Sequence, residues 1–223
     1  MNYPQVRAHP WYPGQFGVPG SDVQRGLRWE PAGIVLYVDN NHPGATAVGD
    51  GTNPEYPLTT ITQAITNLTN FATAMSVSLE GSVIVVGNEA TLEETVVVPV
   101  TAPANCTLLG SGSSIDGPTW GAATDAGTAL TIRQEGWTVE GFRFATAAGG
   151  TAIQLEWAPW LGTGHPVGNR TKIINNYFDG IWQGLYGIVF YGAPFDTWIV
   201  NNTFREYTRD DASAHAIICT ETG

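Results

Sequence analysis

Positive charge is scarce in this chain. Among 223 residues there is one lysine, Lys172, and nine basic side chains face twenty acidic ones, for a formal net charge of -11. Such a balance repels polyphosphate and anionic lipid headgroups, so neither nucleic acid nor an anionic membrane surface is expected as the main partner. Long apolar runs are missing too. No stretch approaches the roughly eighteen residues of a membrane span, which argues against membrane insertion. The N-terminus lacks the charged, apolar and small-residue stages of a secretion signal, so export by that route is not expected. Cysteine is limited to Cys106 and Cys219, both in apolar surroundings. They fit small buried hydrophobes better than a disulfide, and they leave the redox compartment open.

Thr, Val, Ile, Gly and Asn are abundant, a mixture that suits strands and tight turns. The expected fold class is all-β. Order shows as a repeat: Ile173-Ile-Asn-Asn-Tyr-Phe178 returns as Ile199-Val-Asn-Asn-Thr-Phe204, and Val139-Glu-Gly-Phe-Arg-Phe144 is a looser copy. The phenylalanines stand 34 and 26 residues apart, so each copy marks one supersecondary unit interrupted by loops of different size. Leu108-Leu109-Gly110 extends the series backwards by 31 residues, predicting a solenoid of about four or five coils with two or three strands each. Within it, Gly or Asn at a turn supplies left-handed backbone, and Asn175 and Asn201 are placed to stack as an amide ladder.

Three segments follow from composition. Residues 1–33 carry Pro4, Pro10, Pro13, Pro19 and Pro31 with five glycines, which excludes regular helix or central strand. Their aromatics, among them Tyr3, Trp11, Tyr12, Phe16 and Trp29, make the segment too apolar for an inert linker. With Arg7, Arg25 and Arg28 against Asp22 and Glu30 it is net +1, while residues 34–223 are net -12. It reads as an arm, either strapped to its own domain or docked on another subunit. Residues 34–81 hold a strand at Ile34–Val38, a polar loop from Asp39 to Pro57, and an amphipathic helix. That helix opens on the capping-box pattern Thr60-x-x-Gln63, with Ile61, Ala64, Ile65, Leu68, Phe71, Ala72 and Met75 on the face expected to cover a sheet end. Residues 82–223 alternate β-branched runs with turns, including Val83–Val86, Thr95–Val98, Cys106–Leu109, Thr138–Phe144 and Ala216–Cys219.

Tyr37-Val-Asp39, Gly49-Asp-Gly-Thr52 and Pro57-Leu-Thr-Thr-Ile-Thr-Gln-Ala-Ile65 together resemble the opening of pectin-lyase-like right-handed parallel β-helix proteins, where a helix caps the first coil. The stretch Asn105-Cys-Thr-Leu-Leu-Gly-Ser-Gly112 and the Asn-Asn-x-Phe turns resemble that superfamily as well, so the likeness spans about residues 34–223. It implies an all-β right-handed parallel β-helix with an N-terminal capping α-helix, preceded by the extended arm. The superfamily includes polysaccharide lyases, glycoside hydrolases, phage tailspikes and non-catalytic virion proteins, so fold alone does not choose among them.

Glycoside hydrolysis needs two carboxyls at a set separation, and a uronate lyase needs a base and commonly Ca²⁺. Asp179, Asp196, Glu206 and Asp210 are the candidate carboxylates, with Asp211, Arg205, Arg209 and His215 nearby in sequence. Asp179 and Arg205 each follow a repeat phenylalanine, so aligned coils place them side by side, where a salt bridge accounts for both without catalysis. Asp210-Asp211 brings no full Ca²⁺ ligand pattern, and neither zinc spacing, nucleophile triad nor phosphate loop is evident. No cofactor or metal is therefore expected. Trp157 and Trp160, in the insertion Trp157–Pro166, are candidates for stacking on a surface glycan or another protein.

A solenoid needs both ends covered, and a helix is evident at the N-terminal side only. The leading expectation is a structural protein of a tailed-phage virion, a capsid decoration or the particle-proximal part of a tailspike or fibre. Residues 1–33 would bind other virion proteins, and the protein would sit on the virion surface after assembly in the host cytoplasm. The likeness to tailspikes implies a homotrimer, although no heptad pattern supports one. The alternatives are a polysaccharide lyase or glycoside hydrolase acting as a depolymerase, and a carbohydrate-binding module using Trp157 and Trp160.

Overall fold

The computed structural model describes residues 33–112, 115–156, 168–192, 195–207 and 214–220. The arm aromatics Tyr3, Trp11, Tyr12, Phe16 and Trp29 lie outside these residues, as do Trp157, Trp160, Asp210 and Asp211.

The described chain is mostly β, with one α-helix. Strand β1 (Val35–Val38) leads through a loop into α1 (Ile61–Met75). Fifteen strands follow: β2 (Val83–Val86), β3 (Thr91–Glu93), β4 (Val96–Val98), β5 (Thr107–Gly110), β6 (Thr119–Gly121), β7 (Thr128–Ile132), β8 (Thr138–Glu140), β9 (Arg143–Ala145), β10 (Thr151–Glu156), β11 (Lys172–Ile174), β12 (Tyr177–Asp179), β13 (Tyr186–Tyr191), β14 (Trp198–Val200), β15 (Thr203–Arg205) and β16 (His215–Thr220). They form three sheets, ordered β1-β2-β5-β8-β11-β14, β3-β6-β9-β12-β15 and β4-β7-β10-β13-β16, and every pairing is parallel. From β2 onward the chain visits the first, second and third sheets in turn and then starts again. Five such circuits, each of three strands, are consistent with the expected solenoid.

Alternation decides what goes inside. In β2, Ile84 and Val86 join the main core, whereas Val83 and Val85 form a second apolar cluster with Leu109, against which Val35 and Tyr37 pack. The repeat phenylalanines occupy one inward position per circuit. Trp120 stacks on Phe144 at 5.4 Å, Phe144 on Phe178 at 5.1 Å and Phe178 on Phe204 at 4.6 Å, with the last two pairs within 11° of coplanar. Truncating a fully buried ring such as Phe178 to alanine costs about 3–5 kcal/mol.

The predicted run Thr138–Phe144 is two strands rather than one, because Gly141 takes φ +81° and turns the chain from the first sheet into the second. Asn175 and Asn201 do the same in the next circuits at φ 55° and 54°, as expected of residues that tolerate left-handed backbone. Gly141 differs from them for a steric reason. A Cβ there would lie 2.5 Å from the Gly110 carbonyl oxygen of the preceding circuit.

The amide ladder is displaced by one residue from its predicted place. Asn176, fully buried, accepts a hydrogen bond from the Phe142 N–H (3.0 Å) and donates to the Val139 carbonyl (3.0 Å) and Asn202 Oδ1 (3.2 Å). Asn202 accepts from the Asn176 N–H (2.9 Å) and donates to the Ile173 carbonyl (2.7 Å). Asn175 instead donates to Glu140 at 3.0 Å. Backbone bonds between circuits persist at the corner, such as that from the Asn175 N–H to the Val200 carbonyl at 3.1 Å, and the carboxamides add acceptors for the Phe142 and Asn176 N–H groups.

Helix α1 packs on β1, β2 and β4, the first strands of two sheets. Ile61, Ala64, Ile65 and Leu68 are buried and Phe71 and Ala72 partly so, but Met75 at the helix end is exposed. Thr60 caps the helix by accepting from the Gln63 N–H at 3.2 Å. The Gln63 side chain does not close the predicted box, since it bonds to the Ala47 carbonyl. Glu94, from the chain between β3 and β4, takes over: its carboxylate accepts from the Ile61 N–H (2.7 Å), the Thr62 N–H (3.1 Å) and the Thr62 hydroxyl (2.9 Å). Among the described residues no helix is long and apolar enough to cross a membrane.

The cysteines part company. Cys106 is buried in the core, and burial pushes its thiol pKa up to about 12. Cys219 is exposed, contrary to expectation. Its register partner Phe190 belongs to β13, and β16 is the outermost strand of its sheet, so the inward position at Cys219 has no strand beyond it.

Candidate functional site

The second sheet carries the candidate chemistry on the ends of β9, β12 and β15 and on the corners that follow. Phe178 points inward, so its neighbours Tyr177 and Asp179 turn the other way. Asp179 has Arg205 as its register partner on β15, as the repeat predicts, yet the two are not ion-paired. Asp179 Oδ2 takes Arg143 on the preceding circuit at 2.9 Å, and its Oδ1 accepts from the Ile181 N–H at 3.2 Å. Arg205 pairs with its own neighbour Glu206 at 2.6 Å and reaches the Tyr177 hydroxyl at 3.5 Å. That hydrogen bond and then the Glu206 carboxylate hold the Arg205 guanidinium still more firmly protonated than usual. Register sets Asp179 between Arg205 on β15 and Ala145 on β9, and Arg143, the register partner of Tyr177, reaches the carboxylate diagonally with its guanidinium over the Tyr177 ring, 6.0 Å from the centroid.

Two of the four predicted carboxylates thus meet at one corner. Glu206 sits there in left-handed backbone (φ 60°), and its carbonyl accepts from the Trp182 N–H at 3.1 Å. Behind it, Tyr207 bonds through its hydroxyl to Thr146 at 3.2 Å, and burial raises its pKa. Asp196 is elsewhere: it occupies an exposed left-handed turn just before β14, between the third sheet and the first. His215 stacks on Tyr186 across the third sheet, away from both.

The corner Gly180–Gly184 was not singled out by sequence. Ile181 and Trp182 both have positive φ, 47° and 62°, an unfavourable setting for a β-branched side chain followed by a bulky one. Each such residue costs of order 1–3 kcal/mol and persists only where its surroundings impose it. Here they do: beyond the bonds to Asp179 and Glu206, the Gly180 N–H donates to the Arg205 carbonyl (2.8 Å) and the Gln183 carbonyl accepts from the Gly149 N–H (2.9 Å). Trp182 is left 63 % exposed and Ile181 47 % exposed. The available signal was an aromatic residue inside a glycine-bounded turn, Gly180-Ile-Trp-Gln-Gly184.

A concavity lies between Asn40, Thr59, Thr60, Thr91, Glu93 and Glu94. Its polar groups serve the fold. Glu94 caps α1, and the Asn40 carboxamide both accepts from the Thr91 N–H and donates to the Thr91 carbonyl. Among the described residues, no group of three or more His, Cys, Asp and Glu side chains comes together where a metal ion could be held.

Comparison with models of protein families, with curated proteins and with solved structures found no match to this chain.

Proposed function

We propose that the chain is a structural component of a tailed-phage virion, a capsid decoration or the particle-proximal part of a tailspike or fibre, built as a right-handed parallel β-helix and anchored through residues 1–33. The repeating visit to three parallel sheets, with α1 against the first strands, supports the β-helix. The observation that carries the non-catalytic reading is the state of Asp179, which is buried with one oxygen on Arg143 and the other on a backbone N–H. A hydrolase pair needs one carboxyl free to donate a proton and another free to attack or to activate water. Asp179 has no face open to either task, and Glu206 beside it is drawn to Arg205.

The aromatic, net-positive arm on a net-negative body fits attachment to a larger assembly at the virion surface, where buried aromatic side chains supply most of the binding energy. Homotrimerisation belongs to the same proposal. Deleting residues 1–33 is expected to abolish incorporation into particles while leaving the β-rich circular dichroism spectrum unchanged. Retained incorporation would refute the anchoring role. Release of new reducing or unsaturated ends from a capsule or pectin panel would replace the structural reading with the depolymerase.

A further inference from the structure

The outward face of the first sheet is apolar where a face toward water is expected to be polar. Val35 and Tyr37 of β1, Val83 and Val85 of β2 and Leu109 of β5 alternate with the core residues of their strands, so their side chains leave the opposite face, and they pack as a cluster apart from the main core. The cluster is nonetheless shielded. Val85 is 3 % exposed and Leu109 7 %, although among the described residues only these three strands contribute to it. A contiguous outer patch of this kind needs a covering segment.

The gradient of exposure tells from which side the cover comes. Register carries one outward row along the sheet from Val85 through Leu109, Glu140 and Ile174 to Val200. Its members are buried as far as Glu140, half-buried at Ile174 and 41 % exposed at Val200, beside which the outward residue Trp198 is 62 % exposed. Cover is therefore strongest near β1 and lost at β14. Gly33 brings the chain in at the covered end: a Cβ there would lie 2.1 Å from Ser82 Oγ, and the Ile34 N–H donates to that hydroxyl at 3.0 Å. The insertion that holds Trp157 and Trp160 joins β10 to β11, on the side where cover fades. Just ahead of Gly33, apolar Leu27 and Trp29 alternate with charged Arg28 and Glu30, the pattern of an extended segment with one dry face. Pro31 and Gly33 then supply turn chemistry before β1. From β1 to β5 is about 10 Å, which roughly three extended residues span.

We propose that Leu27 and Trp29 of the same chain dock on the outward face of the first sheet and shut the cluster around Val85 and Leu109 from water. Tethered through Gly33, this segment acts at an effective concentration of about millimolar, which a second copy reaches only in concentrated solution. The strap goes beyond the virion reading and does not rest on it. Tyr3, Trp11, Tyr12 and Phe16 are left for attachment to a larger assembly, and Trp29 is assigned to the body.

The test reads a thiol placed under the strap. V85C in a C219S background, where the remaining Cys106 is buried, is expected to react slowly with a disulfide reagent in the full chain. The rate should rise on the order of tenfold or more in L27S/W29S and after deletion of residues 1–32. Deleting residues 1–20 should leave the thiol protected even where it removes attachment to particles, so the strap and the virion reading fail separately. W157A/W160A should leave the rate within about twofold of the full chain. Should V85C lose the β-rich circular dichroism spectrum, L109C carries the same comparison. The proposal is overturned by equal rates with and without Leu27 and Trp29, or by a rise with W157A/W160A instead. Protection that vanishes on about a hundredfold dilution would give the cover to another copy and overturn it too.

Discussion

Replacing Asn176 with leucine tests the idea that one buried carboxamide adds to the backbone bonds at the corner between the first and second sheets. The side chain accepts from the Phe142 N–H and donates to the Val139 carbonyl, each at 3.0 Å, in a site without solvent. N176L strands the Phe142 N–H, at about 1–3 kcal/mol, and takes from the Val139 carbonyl, which stays in the β8–β11 ladder, one further hydrogen bond worth about 0.5–1.5 kcal/mol. The added apolar burial of leucine offsets about 1–2 kcal/mol of that, leaving a net loss of about 1–3 kcal/mol. For a chain of this length each kcal/mol lowers the melting temperature by about 2–4 °C, so a fall of about 6 °C is expected by calorimetry, with a matching shift of the urea midpoint. N176D separates acceptor from donor. Its carboxylate keeps the Phe142 bond but cannot donate to Val139, and it faces Asn202 Oδ1 at 3.2 Å in wild type. Burial among acceptors raises the folded pKa of that carboxyl, so its stability is fullest below an unfolded pKa of about 3.9 and is lost as pH rises through the folded value. The gap between N176D and wild type should therefore narrow toward pH 4. N202L should cost less, because Asn202 is only half-buried. A loss below about 1 kcal/mol for N176L, or an N176D gap independent of pH, would refute the ladder as the corner's fastening.

Three further outcomes follow from other parts of the molecule. G141A combines an unfavourable φ of +81° with a Cβ 2.5 Å from the Gly110 carbonyl oxygen, and is expected to lower stability by about 2–5 kcal/mol in urea. N201A, at the equivalent turn but more exposed, should cost only about 1–2 kcal/mol, and equal losses would remove the steric argument. Native protein at pH 8 should react with one equivalent of a disulfide reagent, at Cys219, because burial pushes the Cys106 thiol up to about 12 and keeps it protonated. Two equivalents without denaturant, or one that survives C219S, would contradict the assignment. Burial raises the Asp39 pKa, so its contribution is fully present below an unfolded value of about 3.9 and is lost as pH rises through the folded value. D39N keeps an acceptor for the Asn41 N–H and should match or exceed wild type at pH 7, with the two converging near pH 4. A D39N variant less stable at pH 7 than at pH 4, relative to wild type, would reverse that reading.

Much of the architecture was legible because a repeated environment leaves a repeated residue. Phe144, Phe178 and Phe204 stack in register because each occupies the same inward position, and their spacing records one circuit apiece. The Asn175 and Asn201 turns were legible for the same reason, since left-handed backbone selects few residue types. The four short strands β3, β6, β12 and β15 were harder to see, as three residues carry too little alternation to stand out from a turn.

The site was less legible. Asn175 and Asn176 are chemically identical, and only the side of the chain each faces makes one a Glu140 partner and the other the buried fastening. Register placed Arg205 beside Asp179 and Arg143 beside Tyr177, and the diagonal pairing of Asp179 with Arg143 goes with the stacking of that guanidinium on the Tyr177 ring and with the rival carboxylate of Glu206 at Arg205. Trp182 gives no sign in sequence of being strained, because its dihedral is imposed by bonds to residues 24 positions away, at Glu206. Local preference, periodicity and turn chemistry therefore determined from sequence alone that this chain is β-rich, repeats its corners and covers an end with a helix. Which ionic partners pair, which asparagine is buried and which tryptophan is held out in solvent were decided only by tertiary structure, since each depends on how one circuit is set against the next.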